Sequence, residues 1–324
     1  MNKTPIALFA YNRPSHVDRA LASLSRCSRL DECRIYIHCD GPRKPENLEA
    51  VEAVRKVVRK WAGLLGAEVA EHAENRGLDP SIVSTVSELC SAYGSVIVLE
   101  DDLVVSPDFL DYMLEGLYRY RHVDRVYQIS GYMAPVKTPA KPDALFLPFT
   151  NSWGWAVWER AWQAFDWDCP GYVDLLSDPV ERKRFDLNGS FPFADLLRKC
   201  MQDPRGPWDL RYYYAVFRRE ALVLYPRQSL VWNGGFDGTG MHCLSTHYYK
   251  EPAVESFSSG RLSPSLSFPF RLECDRQSNR NVQLLMHCVT HPRLGVLTRL
   301  RQAWWRINAR VRSKRNAGGS LRQE

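Results

Sequence analysis

Nine cysteines are scattered through the 324 residues, and no two are spaced as CxxC. The missing pairing argues against a zinc site. An odd, irregular set reads as free thiols, most of them packing residues, in a reducing cytoplasm. Glycine-rich phosphate loops are absent too: neither GxGxxG nor GxxxxGK[ST] follows a candidate strand. A Rossmann dinucleotide site and a P-loop are both disfavoured by that absence. No apolar run is long enough to span a bilayer, and the N-terminal MNKTPIALFAYNRP has no secretory apolar region. A net excess of one charge sign is lacking over most of the chain. The formal net charge is +6, yet residues 293–315 hold seven Arg, one Lys and no acid. The remainder is close to neutral, so nucleic acid is not the expected partner.

What is present is alternation. A chain with 45% hydrophobic residues can bury a large α/β core. The apolar run from Pro5 to Tyr11 reads as a first parallel strand. It is followed by the turn Asn12-Arg13-Pro14-Ser15, with Ser15 as the expected cap of a helix from His16 to Ser25. Arg34 to Cys39 is a second strand ending in the turn Asp40-Gly41-Pro42-Arg43. Val51, Val54, Val57, Val58 and Trp61 share one face of a helix from Asn47 to Leu65. A short strand at Glu68 to Ala70, a polar loop through Asn75-Arg76-Gly77, and a helix from Ser81 to Tyr93 complete the alternation. Strand and helix in turn predict a mostly parallel central sheet with helices on both faces.

The chain is organised around Val96 to Leu110. Val96-Ile97-Val98-Leu99 does not alternate, as expected of a strand buried on both faces. Glu100, Asp101 and Asp102 follow at its carboxyl end, where open α/β sheets bind ligands. Adjacent carboxylates repel and resist desolvation. A hard divalent cation, Mg²⁺ or Mn²⁺, would offset both costs; the plainer reading is a solvated acidic turn. Ser106 and Pro107 then suggest the N-cap and first residue of a helix.

Further along, Trp153, Trp155, Trp158, Trp162 and Trp167 crowd one segment with Gly154 among them, either as core or as a wall that grips sugar faces. Asp209, between Trp208 and Arg211 at a loop-to-helix junction, is a candidate general base; its plainer role is a helix cap or ion pair. Asn233 to Cys243 is a glycine-dense loop able to close over a ligand, and it carries Asp237 and His242. Glu251 to Phe270 reads as an extended segment rich in Ser and Pro. Leu294 to Val311 forms an amphipathic pattern with Arg opposite an apolar stripe containing Trp304, which suits an anionic membrane surface or a partner helix.

FAYNRP at Phe9 to Pro14, the Asp-Gly of HCDGP at Asp40, NRGL at Asn75 to Leu78, VLEDD at Val98 to Asp102, SWGWAVW at Ser152 to Trp158 and WDLR at Trp208 to Arg211 occur in that order. The set resembles nucleotide-sugar-dependent glycosyltransferases of the GT-A (Rossmann-like) fold. More closely, it resembles bacterial family 2-like proteins related to N-acetylglucosaminyltransferase I. The resemblance implies a GT-A domain over residues 1–250, leaving an extended segment at 251–292 and a basic amphipathic tail at 293–324. It implies that Tyr11, Asn12 and Arg13 lie near the nucleotide and its phosphates, together with Asn75, Arg76 and Gly77. Asp40 would contact the base, usually uracil. Glu100 and Asp101 would face the sugar nucleotide, and Asp102 would ligate Mn²⁺ or Mg²⁺, with His242 as a further ligand. Asp209 would be the catalytic base and Asp237 its rival; Trp153, Gly154, Trp155 and Trp208 would meet donor or acceptor sugar. The activity so implied is metal-dependent, inverting transfer from a UDP-sugar to a glycan or glycolipid of a surface polysaccharide, at the cytoplasmic face of the inner membrane. The rival readings are a sugar-1-phosphate nucleotidylyltransferase, which lacks its basic Gly-rich loop here, and a carbohydrate-binding protein with a degenerate site.

Overall fold

The computed structural model describes residues 3–138, 142–203, 206–237 and 266–290. The first half alternates as expected: β1 (Thr4–Ala10), α1 (Pro14–Leu24), β2 (Cys33–Cys39), α2 (Leu48–Leu65), β3 (Glu68–Glu71), α3 (Leu78–Tyr93) and β4 (Ser95–Glu100). Then come β5 (Leu103–Val105), α4 (Phe109–Tyr120), β6 (Val126–Ser130), β7 (Ala144–Leu147) and β8 (Trp155–Trp158). A helical stretch follows: α5 (Glu159–Trp162), α6 (Tyr172–Ser177), α7 (Pro179–Phe185), α8 (Phe193–Cys200) and α9 (Trp208–Arg218). The last elements are β9 (Leu222–Pro226), β10 (Val231–Asn233) and α10 (Arg276–Thr290).

Eight strands form one sheet in the order β3-β2-β1-β4-β8-β6-β9-β7. β1 pairs in parallel with β2 and with β4, and β2 with β3. β8 runs against β4 and β6, and β7 against β9, so the sheet is mixed but mostly parallel. One apolar layer joins Ile6, Leu8, Ile97 and Leu99 to α1, α2 and α4; the other joins Ala7, Phe9, Val96 and Val98 to α3, α5 and α9. Both faces are thus covered, and Val96 to Leu99 is buried throughout, as its lack of alternation required. The chain leaves β1 for β2 on one side and later enters β4 on the other. The β1/β4 boundary is therefore where the strand order reverses, the crevice at which open α/β sheets receive ligands.

Several local expectations need correction. Ser15 does not cap α1: the helix opens at Pro14, whose fixed φ suits the first helical position, and Arg13 stands before it. Ser106 does not cap α4, which begins after Asp108; its backbone N–H instead donates to Leu230 O (2.9 Å), closing the ribbon that β5 forms with β10. That two-stranded antiparallel ribbon was not expected. Within the segment expected to be extended, Arg276–Thr290 is a helix, held by buried Val282 and Ser278. His242 and the amphipathic stretch Leu294 to Val311 lie outside the described residues. Among the described residues, no helix is long and apolar enough to cross a membrane.

Candidate functional site

The turn after β1 and the acids after β4 meet at the β1/β4 crevice. Register sets this up, because Phe9 pairs with Glu100, so the residues just beyond each strand emerge side by side. Arg13 places a single guanidinium nitrogen, Nη2, in hydrogen-bond contact with Asp101 Oδ1 and 2.9 Å from Asp102 Oδ2. The Asp101 and Asp102 side chains are only 5% and 12% exposed, so the guanidinium neutralises charge that water cannot reach. Burial, outweighing the pull of Arg13, pushes Asp101 up to about 6. Glu100 keeps part of its surface, but its carboxyl group is desolvated. That desolvation, then the charges of Asp102 and Asp101, holds it well above the ordinary carboxylate range. Within this cluster, two buried polar atoms have no hydrogen-bond partner among the described residues: Arg13 Nη1, a donor, and Asp101 Oδ2, an acceptor. Native proteins rarely leave such atoms unpaired, and a ligand is one explanation.

The β5–β10 ribbon builds the far wall. Gly234 N–H donates to Asp102 O (2.8 Å), and Asn233 Oδ1 accepts from Gly235 N–H (2.7 Å). A Cβ on Gly235 would run into Asp102 Oδ2, so glycine lets the ribbon pass this close without displacing that carboxylate. The turn then delivers Asp237 to α1, where its Oδ2 lies 3.1 Å from buried His16 Nε2. Burial, then Arg13 and Arg19, lowers the His16 pKa below its ordinary value, against the pull of Asp237 and Asp102. On the other side, Asp209 in the first turn of α9 adds to the field at Glu100. The two rival bases therefore flank the acid triplet. The α9 turn is held from α3: Trp208 N–H donates to Asp79 Oδ1 (2.7 Å).

Asp40 has a different role from the one the resemblance implies. Its Oδ1 accepts from Gly41 N–H (2.9 Å) and Arg76 N–H (2.8 Å), and its Oδ2 from Asn75 Nδ2 (2.8 Å) and Gly77 N–H (3.0 Å). A carboxylate has about four lone-pair directions, and all are used here, so none remains for a base. Asp40 pins the 75–77 loop to the end of β2. Gly41 fits beneath that loop because a Cβ there would meet the Glu74 and Ala73 backbone. Tyr11 likewise serves neighbouring loops: its hydroxyl donates to Asn47 Oδ1 (3.0 Å) and accepts from Arg43 N–H (3.1 Å). Asn12 lies half-buried in the same turn.

The proposed sugar wall divides. Trp155 is fully buried and stacks on buried Trp208, ring centroids 4.9 Å apart. Those rings have no face left for a sugar; they, with Trp162 and Tyr212, bind β8 to α9. Gly154 is buried as well, at φ +62°, and a Cβ would strike Val231, so it is a packing glycine. Trp153 alone of the four is half-exposed, edge-on to Tyr132 (4.5 Å) and Phe236 (5.3 Å), beside the turn carrying Asp237. His16 was not singled out in the sequence; its one signal was its place three residues beyond Arg13 in the helix that leaves the crevice.

Asp102 Oδ2 and the unpartnered Asp101 Oδ2 are hard oxygen donors of the kind Mg²⁺ and Mn²⁺ take. Among the described residues, no group of three or more His, Cys, Asp or Glu is placed to hold an ion by itself. The donor set fits an ion that draws its remaining ligands from substrate phosphate and water.

No protein-family model matches the chain. Among solved structures, it overlaps the mannosyltransferase PcManGT from Pyrobaculum calidifontis, in complex with GDP-Man and Mn²⁺, at 12% identity, over 67% of this chain and 72% of that one, with a TM-score of 0.38. The 1–349 fragment of S. aureus TarS overlaps at 11% identity, over 72% and 60%, with a TM-score of 0.40. GalNAc-T7 with UDP, GalNAc and Mn²⁺ gives 10%, over 69% and 42%, and 0.41. Overlap this loose bears on neither activity nor substrate.

Proposed function

We propose that this chain is a nucleotide-sugar-dependent glycosyltransferase of the GT-A type, acting on a glycan or glycolipid acceptor. The observation that carries the reading is the Arg13–Asp101–Asp102 cluster at the β1/β4 crevice, with one buried donor and one buried acceptor unspent. A sugar diphosphate supplies both complements: anionic oxygens for Arg13 and hydroxyls for Asp101. A divalent cation at Asp102, when bound, would neutralise the negative charge that builds on the leaving phosphate.

The protein's own residues would do the rest. Arg13 makes charge-assisted hydrogen bonds to the diphosphate. The loop pinned by Asp40 closes the nucleotide end of the crevice. Asp209 or Asp237 removes the proton of the attacking hydroxyl, and single displacement inverts configuration at the anomeric carbon. Trp153 offers the aromatic face for a sugar. UDP is the preferred nucleotide on the sequence resemblance. Surface polysaccharide synthesis at the inner membrane, with the basic tail as anchor, is the matching setting.

A thermal-shift panel of UDP-, GDP- and CMP-sugars with and without Mn²⁺ tests this. A ligand at about 100 times its Kd adds about 2.7 kcal/mol to folded-state stability, a clear rise in Tm. Stabilisation by a nucleoside triphosphate with a sugar 1-phosphate, but by no sugar nucleotide, would favour the nucleotidylyltransferase instead.

A further inference from the structure

We propose that Arg13 is the resident counter-ion of the acid cluster, and that a divalent cation reaches Asp102 only in exchange for it, releasing the guanidinium to the diphosphate. The inference rests on the reading of the crevice as a cation-assisted nucleotide-sugar site.

Access to Asp102 decides the matter. Gly235 borders Asp102 Oδ2, so near that a Cβ there would collide with that oxygen. The same oxygen is held by Arg13 Nη2 at 2.9 Å. A cation approaching Oδ2 therefore meets the guanidinium in its path. The two are like charges, and inside a poorly solvated cluster they repel strongly at contact distance. They do not share one carboxylate oxygen.

Arg13 is also built to leave. Its backbone is anchored, since its carbonyl accepts from both His16 N–H and Val17 N–H (3.1 Å each) and Pro14 follows at the first helical position. The side chain beyond that anchor is a flexible three-carbon stem. Its grip on the acids uses Nη2 only, while Nη1 has no partner among the described residues. A guanidinium that uses one prong of its fork gives up its contacts to the two acids on departure, which the incoming cation replaces, and gains a bidentate phosphate contact on arrival. Asp101 and Asp102 are never left bare in this scheme: guanidinium neutralises them before the cation enters, and the cation does so afterwards. Two buried, uncompensated carboxylates would be strongly destabilising.

The test is Mn²⁺ binding by calorimetry in mildly alkaline buffer, with and without UDP, on wild type, Arg13→Met and Arg13→Lys. Without nucleotide, Arg13→Met is expected to bind Mn²⁺ roughly tenfold or more tightly than wild type, because the competing charge is gone. Arg13→Lys, which keeps the charge, is expected to stay near wild type. With UDP, wild type gains affinity for Mn²⁺ and Arg13→Met gains much less. Equal or weaker Mn²⁺ binding by Arg13→Met, with wild type still binding Mn²⁺ and UDP together, overturns the exchange and leaves the site reading intact. Failure of wild type to bind Mn²⁺ even with UDP overturns both. Should Arg13→Met not fold, the wild-type protein supplies the answer by NMR. Saturation with diamagnetic Mg²⁺ is expected to shift the Arg13 Nε–H resonance, and an unmoved resonance under saturation refutes the exchange.

Discussion

Replacing Asp40 by Asn separates two roles that the sequence alone could not. If Asp40 holds the 75–77 loop, as its four hydrogen bonds indicate, the cost is structural. An amide retains one acceptor oxygen and turns an NH₂ group toward two donors. Two of the four bonds are therefore lost, and donor faces donor. Each bond to the charged carboxylate is worth about 1–2 kcal/mol after discounting for a half-exposed loop, so the loss is about 2–4 kcal/mol. Urea unfolding of Asp40→Asn should show that loss at unchanged m-value. Hydrogen exchange should show the Arg76 and Gly77 amides opening first, since local opening begins where bonds are fewest. Nucleotide affinity should fall only as far as the loop is displaced. Unchanged stability and unchanged amide protection, combined with a large loss of nucleotide binding, would refute this reasoning and return Asp40 to the base.

Three further perturbations follow from the same geometry. His38 stacks between Phe9 (5.4 Å) and His72 (6.1 Å), and its burial, then His72 and Arg76, lowers its pKa from 6.5 to about 4. Because the folded state favours the neutral ring, stability is full above the ordinary value. It falls as pH drops from 6.5 toward 4, by about 2–3 kcal/mol, and His38→Phe should flatten that limb of a denaturation-versus-pH curve. Asp209→Asn should cut turnover by about 10² to 10⁴ while nucleotide affinity holds; if Asp237→Asn is inactive and Asp209→Asn active, the base sits beside His16 instead. Gly235→Ala should disturb Asp102 through the colliding Cβ, weakening Mn²⁺ binding in calorimetry with little change in Tm.

Much of the frame was legible because it rests on local pattern. The apolar runs ending at Ala10, Cys39 and Leu99 are strands, the amphipathic face at Val51, Val54 and Val58 is buried, and the acids emerge at a strand's carboxyl end. What escaped depends on contacts between distant segments. β5 and β10 are three residues each and pair across more than a hundred positions, too short to announce themselves by periodicity. Trp155 and Trp208 look like ligand aromatics in a glycine-containing segment, but the sheet buries both faces of β8, so the rings pack on each other. Asp40 ends a strand as a binding acid would, and only the folded loop reveals that its partners are three backbone amides and the Asn75 side chain. Arg13 reads as a phosphate ligand from its charge, while its attachment to Asp101 and Asp102 depends on the β1/β4 register.

Titration of wild type and Asp102→Asn with a UDP-sugar, in the presence and absence of Mn²⁺, tests the central claim most directly. Asp102 presents a carboxylate oxygen to the crevice, held by Arg13 and bordered by Gly235. Wild type should bind the sugar nucleotide, and Mn²⁺ should tighten that binding. Asp102→Asn should keep its Tm within a few degrees and lose the Mn²⁺ effect, since an amide oxygen is a far weaker ligand for a hard cation. Sugar-nucleotide binding that responds to Mn²⁺ equally in both proteins, or no binding by folded wild type to any sugar nucleotide, would contradict the account.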